Sequence, residues 1–392
     1  MDFDFSWLLL GFPLAFVLGW LASRMDLRQL RMENRQAPKA YFRGLNYLLN
    51  EQQDQAIDAF IEAVQNDPDT QELHFALGNL FRRRGEYQRA VRVHEHLLSR
   101  GDLSRADRER AQHALARDFL SAGLLDRAEA ALQKLEGTAF ENEARLALLA
   151  IYERSREWAQ AEAVAQKLDA SGEASYATRR AHHLCEQAQE HSSQGATDAA
   201  LALLRQAAEL APEAPRPAID LAALQLRAGD SQSAFDTLMR LAGVAPLALP
   251  LYATALQQAA LGARLQDEAL ALLRTRYEQS PSIDVLEAIM ALGGGPQAAQ
   301  RPGMAGVPRD GYLRHLQHQP GSLVAASRWL SQEQFSDDAH THAPVQRALD
   351  QAARPLLRYR CAACGFEAHQ HFWHCPGCQA WDSYPPRRVE EL

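Results

Sequence analysis

The sequence predicts an all-α protein: a long helical-repeat body, preceded by an apolar segment of membrane-spanning length and followed by a small metal-dependent module. Three observations predict it. The run from Phe5 to Ala22 carries no charge. Alanine recurs at one fixed place in seven successive windows. Four of the five cysteines fall at the carboxy-terminal end as two Cys-x-x-Cys pairs.

Composition narrows the function classes. The 392 residues are 47% apolar and 23% charged, with 8% aromatic, as expected of a chain that folds around a large core and unlike a disordered or multi-span membrane protein. Forty-one basic against forty-nine acidic residues give a net charge of -8, which argues against wrapping a polyanion, because phosphate neutralisation needs a clustered positive excess. Five cysteines are too few for a disulfide framework in so long a chain.

The apolar run FSWLLLGFPLAFVLGWLA rises about 1.5 Å per residue as a helix and so nearly matches a hydrocarbon core of about 30 Å. Trp7 and Trp20 lie near its ends, where indoles favour the headgroup layer. Acidic residues (Asp2, Asp4) precede it and basic ones (Arg24, Arg28, Arg31, Arg35, Lys39) come after it, the reverse of a cleaved signal peptide. The positive-inside rule puts the chain beyond Ser23 in the cytoplasm, a reducing space in which thiols stay free to hold metal. Arg24, Arg28, Arg31 and Arg35 are spaced four, three and four, one stripe of a helix suited to anionic lipid or to a second membrane protein.

The middle of the chain is periodic. In windows that begin at 37, 71, 109, 142, 181, 215 and 250, the twentieth place is Ala56, Ala90, Ala128, Ala161, Ala200, Ala234 and Ala269. The twenty-fourth is bulky in most (Phe60, Leu132, Leu204, Leu238, Leu273) and the twenty-seventh is usually Ala or Leu, so the three places form one apolar helix stripe. Pro68, Pro212, Pro246 and Pro281 stop that helix. The eighth place is small (Gly44, Gly78, Ala116, Ala188, Ala222), with an aromatic one turn later at Tyr47, Phe81, Phe119 and Tyr152. Gly85, Gly123, Gly195 and Gly229 recur at the fifteenth, between the helices, as left-handed helix terminators. Paired helices with a small-residue seam, repeated near every 34 residues, are the tetratricopeptide pattern. Leu149 and Gln257 depart from the small place.

Beyond Pro281, Ile283–Leu292 and Gly311–Gln319 read as a degenerate helix pair, separated by GGGPQAAQRPGMAGVP, a flexible insertion without the Lys-Ser/Thr of a phosphate loop. Ser322–Gln334 and Val345–Ala353 read as capping helices, with SDDAHTHA a loop between them. The chain thus divides into an anchor (1–23), a basic juxtamembrane helix (24–36), seven repeats (37–283), degenerate and capping helices (284–356, with the insertion at 293–308) and a terminal module (357–392).

A stacked solenoid offers a groove that binds polypeptide, and no catalytic constellation is visible in it. His94 with His96, and His182 with His183, lack metal-binding spacing and read as solvated helix faces. Arg82, Arg83 and Arg84 read as a solvated turn, or else a site for an acidic partner. Cys185, on a first helix, reads as a small core hydrophobe.

The end of the chain is RYRCAACGFEAHQHFWHCPGCQAWDSYPP. Cys361, Cys364, Cys375 and Cys378 supply two knuckles for one ion, closed and tetrahedral, with Gly365 giving the first knuckle its permissive backbone. Such a site has no vacant place for water, and a module this small takes folding energy from its ion. Thiolate ligation permits iron or zinc. Phe366, Phe372, Trp373 and Trp381 are the expected core, and His369, His371 and His374 could substitute for a thiolate. Arg358, Arg360, Arg387 and Arg388 are balanced by Glu367, Asp382, Glu390 and Glu391, which disfavours a nucleic-acid reader.

The order of parts, and the stretch Tyr359–Pro386 with its CxxCGF…WxCPxCxxWxSYPP motif, resemble the lipopolysaccharide assembly protein B family, also called LapB or YciM. The resemblance covers essentially the whole chain. It implies a rubredoxin-type module packed on the repeats, although the cysteine spacing is much shorter than in free rubredoxins. It also implies a bacterial inner-membrane adaptor, not an enzyme, that promotes delivery of the deacetylase LpxC to the protease FtsH and contacts other inner-membrane proteins of the lipopolysaccharide pathway. The alternatives are a metal- or redox-sensing or electron-transfer protein built on the four cysteines, a general membrane-tethered assembly scaffold and, with the orientation reversed, a periplasmic assembly factor.

Overall fold

The computed structural model describes residues 15–20, 39–66, 70–172, 174–293, 307–332 and 339–392. Most of the apolar run Phe5–Ala22 and all of the basic stripe lie outside these residues. Residues 15–20 are helical, with Phe16, Val17, Leu18 and Trp20 exposed. Among the described residues no helix is long and apolar enough to cross a membrane.

Helices follow in the predicted pairs: α1 (39–49) with α2 (Gln53–Asn66), α3 (Gln71–Arg83) with α4 (Tyr87–Ser99), α5 (Arg105–Ser121) with α6 (Leu125–Gln133), and α7 (Glu141–Ser155) with α8 (Trp158–Ala170). Then come α9 (Ala177–Ser193) with α10 (Thr197–Leu210), α11 (Pro215–Arg227) with α12 (Ser231–Val244), and α13 (Leu249–Ala263) with α14 (Gln266–Gln279). The chain forms two compact units, Met1–Ile151 and Tyr152–Leu392.

In both units the alignment predicts the core. All seven alanines of the twentieth place are completely buried. In the first unit Ala56, Phe60 and Ala63 of α2 pack with Leu73, Leu77 and Phe81 of α3. In the second, Leu238, Tyr252, Leu256 and Leu273 share one cluster. Burying each such large side chain contributes about 1.5–3 kcal/mol. The small eighth place also has a physical reason: a Cβ on Gly78 would sit 2.5 Å from the ring of His94, and one on Gly44 would sit 2.8 Å from Phe60.

The helix-pair turn is stricter than the glycines alone suggest. All seven fifteenth places are left-handed, not only Gly85, Gly123, Gly195 and Gly229 but also Glu51 (φ 59°), Arg156 (φ 61°) and Arg264 (φ 60°). In each, the next amide reaches back five residues: Gln52 N to Tyr47 O at 2.8 Å, Glu86 N to Phe81 O at 2.8 Å, Leu124 N to Phe119 O at 2.9 Å, and likewise from Glu157, Ala196, Asp230 and Leu265. This closure satisfies the last carbonyls of every first helix.

After the repeats come α15 (Ile283–Gly293), α16 (Val307–His318), α17 (Leu323–Gln332) and α18 (Ala339–Ala353). Two boundaries differ from expectation. The α16 helix opens at Val307, not Gly311, with Pro308 in its first turn, where a missing N–H costs nothing. The α18 helix opens at Ala339 and carries Pro344 inside, so part of the expected loop is helical. The remainder of the Gly/Pro-rich insertion, residues 294–306, lies outside the described residues.

Several expected solvated groups are instead buried. His94 fills the twenty-fourth place of its repeat, the position of Phe60 and Leu132 elsewhere, and its Nδ1 lies 2.5 Å from the equally buried Asp118. Arg82 closes the network at 2.8 Å from the other Asp118 oxygen, so it is neither a solvated turn residue nor open to a partner. Arg83 and Arg84 are exposed, and Arg84 pairs with Asp54 and Glu86. His96 is exposed, as expected.

Candidate metal centre and its docking surface

The terminal module is two copies of one knuckle. In the first, β1 (Tyr359–Arg360) pairs antiparallel with β2 (Glu367–Ala368), placing Arg360 opposite Glu367. In the second, the same offsets place His374 opposite Trp381. The residue after each Cys-x-x-Cys is left-handed, Gly365 at φ 78° and Gln379 at φ 61°. Each knuckle is closed alike, by Cys361 N to Phe366 O and Cys375 N to Ala380 O, both 2.9 Å.

This folding brings the four predicted cysteines together. Their sulfurs all lie within 4.8 Å of one another. Cys361 Sγ is 3.8 Å from Cys378 Sγ, and Cys364 Sγ is 3.7 Å from Cys375 Sγ. A tetrahedral ion with metal–sulfur bonds of about 2.3 Å has ligand–ligand edges of about 3.8 Å, so the donor set and its spacing fit one such ion. Burial pushes the Cys361 thiol up, but Ser383 and the amides of Cys364 and Ala363 outweigh it and hold the thiol down at about 6. Among the described residues no other His, Cys, Asp or Glu group has metal-binding geometry.

Of the three module histidines, His369 is exposed and the other two do other work. His371 packs edge-on against Trp373 with ring centroids 4.6 Å apart, and its Nε2 lies 3.1 Å from Tyr384 O. His374 stacks on Trp381 at 4.3 Å. The module core also differs from expectation. It consists of Tyr359, Cys361, Cys375 and Tyr384, with Phe372 packed against it, whereas Phe366 is exposed. The small β-knuckles turn their interior toward the sulfurs, and the large aromatics face outward to the helices.

Those aromatics meet the first helices of the fifth to seventh repeats. His182, Arg216 and Leu251 all hold the second place of their windows. His182 is buried with its Nε2 2.8 Å from Asp382 Oδ2, and its ring stacks on Trp381 at 4.7 Å. The indole is thus sandwiched between His182 and His374. Leu251 packs against the Tyr359–Cys375 cluster. His183, also buried, lies 2.7 Å from Glu153 Oε1, which Arg179 holds in a two-bond pair. Burial pushes the Glu153 carboxyl up, yet Arg179 and His183 outweigh it and hold it at about 2. The expectation of solvated histidines at 182 and 183 is therefore overturned: the module itself covers them.

The last residues fasten the other side. Arg388 makes a two-bond pair with Asp284 at 2.8 and 2.9 Å and lies over the Tyr359 ring. Glu391 accepts the Ile283 amide at 2.7 Å and Glu390 the Val324 amide at 3.0 Å, so two carboxylates occupy the first turns of α15 and α17. Of the charges expected to balance within the module, only Arg358 and Arg360 with Glu367 do so. Asp382, Glu390, Glu391, Arg387 and Arg388 are spent on the helices. Cys185 is buried, and burial pushes its thiol far up, in keeping with a core role.

Comparison with known proteins agrees with this geometry. A family model described as a rubredoxin metal binding domain matches residues 359–385. The chain is 31% identical over 394 aligned residues to lipopolysaccharide assembly protein B of Escherichia coli strain K12, covering 97% of this chain and 98% of that one. It is 25% identical to the protein of that name from Haemophilus influenzae, covering 98% of both. Among solved structures, a tetratricopeptide repeat protein from Parabacteroides merdae matches 65% of this chain and 98% of its own at 15% identity, with a TM-score of 0.33. On its full-length likeness to the Escherichia coli protein, the chain belongs to the lipopolysaccharide assembly protein B family.

Proposed function

We propose that this protein is a membrane-anchored adaptor whose repeats face the cytoplasm and regulate lipopolysaccharide synthesis by bringing LpxC to FtsH for proteolysis. The observation that carries this is the end-to-end likeness to a protein named for lipopolysaccharide assembly. The apolar run at Phe5–Ala22 and the basic stripe after it support the anchor. Tethering raises the effective concentration of a soluble client at a membrane protease. Cys361, Cys364, Cys375 and Cys378 would hold one iron or zinc ion, which supplies a cross-link between the two knuckles. The activity is binding rather than bond-breaking.

The test is the half-life of LpxC in cells whose own copy of this protein is depleted. Restoring the full chain shortens that half-life, and a chain lacking residues 1–23 shortens it far less. An LpxC half-life indifferent to the full chain would defeat the proposal. Digestion of the repeats by protease added to intact spheroplasts would defeat the orientation.

A further inference from the structure

The module meets the N-terminal half of the inner helices, where it covers His182 and His183 and touches Leu251. One, two and three turns further along the same helix face lie places six, nine and thirteen: Glu186, Gln189 and Ser193 on α9, Asp220, Ala223 and Arg227 on α11, and Ala255 and Gln258 on α13. Residues spaced four, three and four share one face. All of these except Glu186, which lines the second cavity below, line a cavity of about 740 Å³ that runs up to Trp373 of the module. A second cavity of about 530 Å³ shares Gln189, Arg216 and Trp373 with it and continues between α7, α9 and the loop that carries His371 and His374. Together they form one groove with the metal module as a wall.

Two features of this groove lack an internal explanation. Arg216 is 3% exposed and lines both cavities; Glu186 takes its Nη2 at 2.7 Å and Asp220 its Nε at 3.2 Å, but its Nη1 has no partner. A buried cationic donor left unmatched is costly. The second feature is the charge around the groove. Each acid that lines it is tied to a cation of this chain: Glu153 to Arg179, and Glu186 and Asp220 to Arg216. Burial also drives the Asp220 carboxyl upward. Arg154, Arg156 and Arg227 line the same groove and have no carboxylate partner among the described residues. A positive rim on a chain of net charge -8 is a local departure. Arg156, moreover, stands at a left-handed turn place that four other repeats fill with glycine.

We infer that this groove binds an extended acidic polypeptide segment, with Arg216 Nη1 donating to a main-chain carbonyl on the groove floor and Arg154, Arg156 and Arg227 meeting carboxylates at the rim. Three neighbouring helices about 10 Å apart span about 20 Å, or about six extended residues. Ala223 and Ala255 leave room for small or aliphatic side chains between the charged ones. Because Trp373 and His371 belong to the module, metal loss removes one wall. The inference rests on the adaptor proposal for its biological use and supplies the kind of segment a client presents.

The experiment uses the intact chain in detergent micelles and two fluorescent synthetic peptides that share their Ala, Leu and Gly positions and differ only in carrying glutamates or lysines. The glutamate peptide binds and the lysine peptide does not, with affinity that falls as salt rises. Arg154→Gln, Arg156→Gly and Arg227→Gln each weaken binding by about three- to fivefold, and Ala223→Trp, which fills the groove, abolishes it. Arg156→Gly relieves a left-handed arginine, so its loss of binding comes with an unchanged or raised melting temperature and is not a folding defect. Equal binding of the two peptides, or binding untouched by Arg156→Gly and Ala223→Trp, overturns the inference. Because no deacetylase is present, this result is independent of the LpxC half-life: either can fail while the other stands.

Discussion

The seven alanines of the twentieth place are completely buried in every repeat, whereas the second place of three successive first helices holds His182, Arg216 and Leu251, residues with no chemistry in common. The first set answers to one geometry repeated seven times, two helices meeting at a fixed distance, and so it is uniform. The second answers to whatever lies opposite: an indole and a carboxylate for His182, the floor of a groove for Arg216, an apolar knuckle for Leu251. Uniform places report how repeats stack, and irregular ones report what they touch.

The sharpest way to break the module-facing set while sparing the repeats is to remove the ion. Cys361→Ser with Cys364→Ser leaves two thiolates, too few for a closed site, and structural four-ligand sites contribute on the order of 10 kcal/mol to folding. Metal per chain, measured by elemental analysis, falls to near zero. Protease then cuts within residues 357–392 while the far-ultraviolet helix signal persists. A colourless native protein containing zinc, against a coloured and reducible one containing iron, settles the ion in the same preparation. Full metal content in the double variant would refute the site.

Within the uniform set the largest effect is expected at Gly78. A methyl group there would lie 2.5 Å from His94, which is buried and pinned by Asp118. Gly78→Ala therefore destabilises by about 2–3 kcal/mol, read as a drop in the denaturant midpoint, and Gly78→Ala with His94→Ala recovers part of it. If the single change is silent, close approach is not what the eighth place is for.

Glu153 supports the docking surface from behind, and its effect depends on pH. Its carboxyl is held at about 2, well below the ordinary 4.5, so it contributes stability that is complete above pH about 4.5 and lost as pH falls toward about 2. The contribution is about 2–3 kcal/mol. Comparing the native chain with Glu153→Gln, the stability difference shrinks across that acid window and is constant from pH 5 to 7. A difference that grew on acidification would contradict the Arg179–Glu153–His183 arrangement.

Most of the repeat architecture was legible because it obeys a period. Helix pairs, buried alanines and the small eighth place followed from alignment alone, and so did the four sulfurs, whose spacing suits one ion. The buried histidines are not legible in the same way, for two different reasons. His94 stood in a column of Phe and Leu, so its burial was available in the alignment. Its residue type, polar and titratable, points to solvent, whereas its place points to the core. His182 and His183 stand at places where the next two repeats carry Arg, Pro, Leu and Tyr; a segment 200 positions away covers His182, and Glu153 and Trp158 of the preceding repeat join Trp381 around His183, so no local pattern contains these contacts. The module core differs from expectation for the same reason. Trp373 and Trp381 look like core residues of a small domain, but they serve a surface that this domain shares with helices.

The smallest predicted effects separate geometry from contact at the helix-pair turn. Glu51, Arg156 and Arg264 occupy left-handed backbone where the other four repeats have glycine, and in each the amide that follows closes the same five-residue bond. Since a side chain costs about 1 kcal/mol in that conformation, Glu51→Gly and Arg264→Gly each gain up to about that much, offset in part by the entropy glycine adds to the unfolded chain. The gain appears as a small rise in melting temperature. Gln379→Gly applies the same change to the second cysteine knuckle, which would then match Gly365 in the first, and the expected signature is slower loss of metal to a chelator. If all three substitutions instead destabilise, the side chains at these places hold the turns through contacts of their own, and the uniformity of the fifteenth place is not set by backbone conformation.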